Sequence, residues 1–166
     1  KNLFAHKVRA VSGKISAGDT VTASVDEINR NNIARNHTAT HILHAALKEV
    51  LGNHVTQAGS SVTADSLRFD FTHFEAVSPE ETAKIEQIAN EQILKFTDVD
   101  TEILSLEDAK KSGATALFGE KYGENVRVVS IGDFSKELCG GTHLHNSGQI
   151  GAIRITSESC VAAGVR

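Results

Sequence analysis

Apolar side chains recur three and four residues apart from about residue 36 to residue 51, which places them on one face of a helix. Asp26 stands before this stretch as a plausible N-cap, and Gly52 follows it as a residue that commonly ends helices. The pattern therefore predicts a helix over residues 28–51. Three histidines of this helix lie on a stripe away from the apolar face, so a place in the core explains them poorly.

A second helix is predicted from Ser78 to about residue 96. Ser78 can cap it, proline suits the next position, and Glu81 completes a capping box. Alternating or β-branched apolar runs predict strands in the remaining segments. The strands cover residues 8–11, 20–25, 54–64, 67–73, 99–105, 126–131 and 149–157, with a short helix at 106–112. This order predicts an α+β fold in which a mostly antiparallel sheet packs on helices.

The length of 166 residues suits one domain with a small appendage. The first two strands look like the tail of a β-rich unit, so we expect the last strands of a truncated β-rich subdomain at residues 1–27 and the core at residues 28–166. No apolar run approaches the ~20 residues that would span a bilayer, and no signal-peptide pattern opens the chain. The two cysteines form no disulfide framework, and a cytosolic setting suits a working thiolate.

The sequence contains two pairs of residues that could bind a metal ion. His37 and His41 are four residues apart on the first helix, where they point the same way and can bind one ion. Cys139 and His143 have the same spacing and are separated by two glycines and a threonine. Imidazole and thiolate together are a ligand set that tetrahedral Zn²⁺ prefers. The sequence therefore predicts that folding brings the two pairs together around zinc.

Other interpretations of these residues exist. The two helix histidines could form an exposed helix face, and Cys139 could be a small buried hydrophobe. The HxxxH spacing alone is a weak signal, whereas its combination with a glycine-flanked CxxxH is much stronger. His44 could be a donor behind the ligands, a surface residue or an alternative ligand, and we place it outside the ligand set. Cys160 is expected to be structural and outside it as well.

The segment RNHTATH at residues 35–41 and the segment ELCGGTH at residues 137–143 enclose the four predicted ligands. Both resemble the zinc motifs of the editing domain of bacterial alanyl-tRNA synthetase. The resemblance covers nearly the whole chain, from about residue 8 to its end, although the aminoacylation and tRNA-recognition domains of the family have no counterpart in it. Further similar segments are QAGS at 57–60, LRFDF at 67–71, ALFGEKY at 116–122, and ITSES and AAGVR between residues 155 and 166.

The resemblance implies post-transfer editing, which is hydrolysis of the ester that joins serine or glycine wrongly to the 3′ end of tRNA(Ala). Thr40 lies between the two helix histidines, where its hydroxyl could sense the serine side chain. A local bond to the carbonyl four residues earlier is the ordinary role of such a threonine. Gln57 could reach the substrate or a water from the following strand, or it could be an ordinary surface amide. Zinc could lose a ligand to substrate, become five-coordinate, or only anchor the substrate.

The expected partners are the mischarged 3′ end of tRNA(Ala) and the other domains of a full-length synthetase, with no membrane and a cytoplasmic location. The formal net charge of −4, without a run of Lys or Arg, does not by itself predict nucleic-acid binding. Three alternatives remain open at this point. The chain could be a free-standing trans-editing deacylase, a threonyl-tRNA synthetase editing domain, or a non-catalytic zinc-stabilised module that positions tRNA.

Overall fold

The computed structural model describes residues 5–116 and 122–166. Residues 117–121 of the family-like segment 116–122 lie outside the described part. The elements are helix α1 (Glu27–Leu51), strands β1 (Gln57–Val62) and β2 (Leu67–Phe71), helix α2 (Pro79–Ile93), strand β3 (Val99–Ser105), helix α3 (Leu106–Lys111), strands β4 (Asn125–Ile131) and β5 (Ser135–Leu138), and a 3₁₀ helix (Ser147–Ile150).

Helix α1 begins and ends where the local signals predicted. The carboxylate of Asp26 accepts a hydrogen bond from the backbone N–H of Asn29 at 2.9 Å, which satisfies a donor that the first helical turn leaves free. At the other end, Gly52 has a φ of +112°, a conformation that side chains disfavour, and its N–H bonds the carbonyl of Lys48. The prediction of a helix over residues 28–51 is confirmed.

The capping signals of helix α2 are also confirmed. The Ser78 hydroxyl accepts from the N–H of Glu81 at 3.1 Å, and the Glu81 carboxylate accepts from the N–H of Ser78 at 2.8 Å. Both free donors of the first turn are therefore satisfied by side chains. The helix ends at Ile93, slightly earlier than residue 96. Within residues 5–116 and 122–166, no helix is long and apolar enough to cross a membrane.

Two antiparallel sheets complete the fold, which belongs to the predicted α+β class. Strands β1 and β2 form the expected hairpin, in which Ser60 pairs with Phe69, and a bulge interrupts the pairing between Gln57 and Gly59. The other sheet has the order β3-β4-β5, with Val99 paired to Ile131. Helices α1 and α2 pack on each other and share one apolar core with both sheets. Its most deeply buried side chains are Ile42, Ile85, Ile93, Val55, Val129 and Ile131.

The strands predicted at residues 8–11 and 20–25 are wrong for this structure. Residues 5–26 contain no strand, and all of them are exposed. An isolated hairpin is only marginally stable in water, and within the described residues nothing packs over this segment. The assignment of residues 1–27 to a β-rich subdomain stays a prediction.

The last predicted strand, at residues 149–157, is also wrong. Apolar residues do alternate in this segment, but its backbone forms hydrogen bonds with side chains of helix α2 instead of with a neighbouring strand. The Asn90 side chain donates to the carbonyl of Ile153 and accepts from its N–H, both at 2.9 Å, and Glu86 accepts from the N–H of Ile155 at 2.8 Å. Strand β5, by contrast, was not predicted, because its sequence is mostly polar.

Candidate metal centre

Helix α1 and the loop after strand β5 meet at a cluster of four potential metal ligands. One donor atom from each of His37, His41, Cys139 and His143 lies within 4.8 Å of the others. The sulfur of Cys139 is 3.5 Å from Nε2 of His37 and 3.3 Å from Nε2 of His143. The structure therefore brings together all four side chains that the sequence predicted as ligands.

Arg127 on strand β4 shapes the loop that carries Cys139 and His143. Its guanidinium donates to the carbonyl of Cys139 at 2.9 Å and to that of Gly141 at 2.7 Å, and its own carbonyl accepts from the N–H of Cys139. These three bonds tie the first half of the loop to the sheet. The backbone of Cys139 is thereby fixed to the sheet, which places its sulfur beside helix α1.

Gly141 is required by the close approach of the loop to the helix. A Cβ atom at this position would lie 2.0 Å from Cε1 and 2.5 Å from Nδ1 of His37. No larger residue fits unless the imidazole moves away. The glycine between the two ligands of the loop is therefore part of the geometry that positions His37.

Glu137 supplies a carboxylate that the sequence interpretation missed. It is 7% exposed, and its two oxygens bond Nδ1 of His41 at 2.6 Å and Nδ1 of His44 at 2.7 Å. Its position two residues before Cys139 was a signal in the sequence, but it could be interpreted only once strand β5 had been placed against helix α1. His44 lies behind the cluster, as we expected, with its ring 5.1 Å from that of Phe69.

The donor set fits a zinc ion. With Nδ1 of His41 bound to Glu137, its Nε2 is the atom that faces the cluster, and this atom is buried with no hydrogen-bond partner in the described part of the chain. Nδ1 of His143 lies 3.3 Å from the hydroxyl of Thr38, which leaves Nε2 directed at the sulfur. A carboxylate or hydroxyl behind an imidazole, as found here for His41 and His143, is typical of zinc sites. Three nitrogens and one sulfur match the tetrahedral preference of zinc.

The ionisable groups of the cluster shift one another's pKa values. Burial disfavours a charged carboxylate, but hydrogen bonds from His41 and His44 hold the pKa of Glu137 down at about 2. Burial likewise disfavours a charged His41, yet the neighbouring Cys139 sulfur and Glu137 carboxylate raise its pKa to about 9, so zinc would have to displace this proton to bind. For the Cys139 thiol, burial is outweighed by hydrogen bonds, first that of His143, which lower its pKa to about 3. The sulfur is therefore held as the thiolate that binds metals.

The two residues predicted to sense substrate occupy less decisive positions. Thr40 is 5% exposed, and its hydroxyl donates to the carbonyl of Asn36 at 2.9 Å, which is the local bond weighed against a sensing role. Gln57 opens strand β1 and donates through Nε2 to the Ser60 hydroxyl at 3.1 Å. Their roles stay predictions. Cys160 is exposed and lies outside the four-residue cluster.

Comparison with known proteins places these features in context. Residues 126–166 match the family described as the threonyl and alanyl tRNA synthetase second additional domain. The chain is 57% identical over 161 residues to alanine--tRNA ligase 1 of Lachnoclostridium phytofermentans, covering 97% of this chain and 18% of that protein. The alanine--tRNA ligase of Alkaliphilus oremlandii is 58% identical over 165 residues, which are 99% of this chain and 19% of the relative. That of Clostridioides difficile is 60% identical over 155 residues, or 93% and 18%. The chain thus spans less than a fifth of the length of these curated relatives.

Proposed function

Since this chain belongs to the alanyl-tRNA synthetase family, as a segment with the threonyl and alanyl tRNA synthetase second additional domain, we propose that it hydrolyses mischarged tRNA. The bond cleaved is the ester between serine or glycine and the 3′ end of tRNA(Ala). The observation that supports this most directly is the buried cluster of three imidazoles and a thiolate. An aminoacylation site can disfavour an amino acid that lacks one methyl group by only about 1–3 kcal/mol of binding free energy. A second site that hydrolyses the wrong product is therefore needed.

Zinc would be held by His37, His41, Cys139 and His143, and once bound it supplies a Lewis acid that polarises a carbonyl and acidifies a bound water. The chain positions these ligands through neighbouring groups. Glu137 fixes the orientation of His41, and the Arg127-bound loop fixes Cys139. Hydrogen bonds from His143 and His37 keep the sulfur charged.

Thr40 is proposed to recognise the hydroxyl of serine. Because its own proton is donated to the carbonyl of Asn36, the Thr40 oxygen has only its lone pairs left to offer. It would therefore accept a hydrogen bond from the serine hydroxyl, and glycine would lack this contact. Gln57 is proposed to approach the substrate or a water from strand β1, after breaking its bond with Ser60.

The test follows ester loss from seryl-tRNA(Ala) added to the 166-residue chain, with and without a zinc chelator. We expect hydrolysis above the spontaneous rate, its loss with chelator, and its return with added zinc. Thr40→Val should reduce the preference for seryl- over alanyl-tRNA(Ala) while the zinc content stays the same. Thr22→Val, in the exposed segment that precedes helix α1, is the matched control.

A second candidate function is a zinc-stabilised module that positions tRNA without catalysis. The observation that favours it is the number of donors, because four protein ligands typically mark a structural zinc site with no open position. An intact ester in the presence of one equivalent of zinc would support this module and refute the deacylase. In either case we propose a cytoplasmic setting, with tRNA and the remaining synthetase domains as partners.

A further inference from the structure

A cationic groove opens beside the metal centre. It has a volume of about 770 Å³ and runs along the first turns of helix α1 to the loop that carries the ligands. His143, a member of the metal cluster, is part of its wall, as is Gly141. Arg30, Arg35 and Arg127 also line it, and none of the described lining residues carries a carboxylate. A molecule in this groove would therefore lie against positive charge and extend to the metal ligands.

The arginines of this groove differ from those elsewhere in the structure. Arg68, Arg154 and Arg166 each form a salt bridge with a nearby carboxylate. Within residues 5–116 and 122–166, the three arginines of the groove have no carboxylate partner. A local excess of positive charge therefore exists in a chain whose formal net charge is −4. The average charge, which did not predict nucleic-acid binding, conceals this arrangement.

The groove arginines also retain unused hydrogen-bond donors. A guanidinium carries five N–H donors. Arg35 uses its Nε on the carbonyl of Gln149 and one Nη1 hydrogen on Asn32, each at 3.2 Å. Arg127 uses its donors on the ligand loop and on Thr101. Arg30 is exposed and lines the groove, so it is the member most available to a ligand.

We propose that this groove binds the phosphodiester backbone of the single-stranded 3′ end of the substrate tRNA and directs its terminal ester toward the metal centre. The proposal rests on the proposed deacylase function, since it concerns the route by which that substrate enters. Arg30 and Arg35 contact phosphates, and Arg127 acts as a positioning residue that holds the loop. A cationic groove that follows the backbone is the usual means of binding single strands.

The lining of the groove indicates how the strand is recognised. None of the described residues that line it is a phenylalanine, tyrosine or tryptophan, so this part of the groove offers contacts to phosphates instead of stacking on those rings. Binding therefore depends on phosphates, which makes it sensitive to salt and insensitive to base sequence. Guanidinium planes can still stack on unpaired bases, which would keep the strand extended.

Binding of RNA is tested first, without chemistry. A short fluorescent single-stranded RNA ending in CCA is titrated with the 166-residue chain over a series of salt concentrations, and its anisotropy is followed. Arg30→Ala is expected to weaken binding several-fold at low salt and to reduce the slope of log K against log salt by about 0.7, the value for one lost phosphate contact on a single strand. Arg154→Ala, which removes an exposed arginine outside this groove, should leave the slope as in the wild type.

The kinetic part compares two substrates. Seryl-tRNA(Ala) has the phosphodiester backbone, whereas seryl-adenosine has the same ester and no phosphate. Arg30→Ala is expected to raise KM for the tRNA more than it lowers kcat, and to reduce the ratio of kcat/KM between tRNA and seryl-adenosine. An equal loss with both substrates, or an unaltered salt slope, overturns the proposal. Displacement of the RNA by millimolar inorganic phosphate at constant ionic strength would indicate a site for a free anion and would overturn it too.

The two proposals fail in distinguishable ways. If the wild-type chain binds the RNA through Arg30 but leaves seryl-tRNA(Ala) and seryl-adenosine intact, the deacylase function is wrong and the groove assignment stands. If both esters are hydrolysed and Arg30→Ala alters neither binding nor the substrate ratio, the function stands and the groove assignment is wrong.

Discussion

Replacing Glu137 with glutamine should alter the orientation of a potential metal ligand without removing any of the four from the chain. The carboxylate is 7% exposed and accepts hydrogen bonds from His41 and His44 at 2.6 and 2.7 Å. Glutamine has nearly the same shape but only one accepting oxygen. Its amide nitrogen must therefore face one of the two Nδ1–H groups. Either that hydrogen bond is lost, or the imidazole concerned moves its proton to Nε2.

The expected magnitudes follow from these two contacts. A hydrogen bond to a charged group contributes about 1.5–3 kcal/mol, and a neutral one about 1 kcal/mol. Loss of one bond and weakening of the other should lower the free energy of unfolding of the metal-free chain by about 2–4 kcal/mol. If His41 takes the altered tautomer, its Nε2 carries a proton and cannot bind zinc. Zinc affinity should then fall about 10- to 100-fold, the usual effect of removing a group that orients a ligand.

The assay measures zinc affinity by competition with a chromophoric chelator and measures stability by urea unfolding of the metal-free chain. Glu102→Gln is the matched control, since Glu102 is exposed on strand β3 of the same sheet. Glu137→Gln should weaken zinc binding and shift the unfolding midpoint, whereas the control should alter neither. Zinc affinity within twofold of the wild type would refute the reasoning that Glu137 orients the ligand.

Three further results are expected. Gly141→Ala should weaken zinc binding in a competition titration, because the new Cβ would lie 2.0 Å from the His37 ring, and a normal affinity would show that the loop can move. Cys160→Ser should retain one equivalent of zinc by elemental analysis, whereas Cys139→Ser should lower it. The hydrogen bond with Arg166 holds the pKa of Glu158 below its ordinary value of 4.5. The ionised carboxylate therefore stabilises the native chain fully above pH 4.5. The destabilisation caused by Glu158→Gln in urea melts should therefore be full at pH 7 and should disappear as pH falls through the native pKa.

The elements that the sequence predicted well are those with local signals. Helix α1 has its cap, its apolar period and its terminal glycine within a single continuous segment, and helix α2 has a capping box. The hairpin of β1 and β2 was also within reach, since its two strands flank a short polar turn. Each of these signals acts through contacts between residues that are close in sequence, so no knowledge of the tertiary structure was needed.

The elements that were missed depend on distant partners. Strand β5 has the sequence SKEL, and its polar residues Ser135 and Glu137 are buried only because β4 and the histidines of α1 receive them. Residues 149–157 alternate like a strand, but the groups that satisfy their backbone are the side chains of Asn90 and Glu86. The same holds at the site. The four residues of the cluster were recognisable by their chemistry and spacing, whereas Glu137 became visible only once α1 and β5 were placed together.

The arrangement around the cluster indicates that the metal centre is organised by the fold itself. Glu137 joins strand β5 to helix α1, and Arg127 holds the ligand loop. The Thr38 hydroxyl lies 3.3 Å from Nδ1 of His143 and accepts from the N–H of Leu144 at 3.0 Å. These hydrogen bonds hold the residues of the cluster in place, and the four donor atoms lie within 4.8 Å of one another. Zinc would therefore meet ligands whose conformational entropy has already been lost, so removing it should leave the α1–β5 junction folded, unlike the unfolding seen in small zinc-dependent modules.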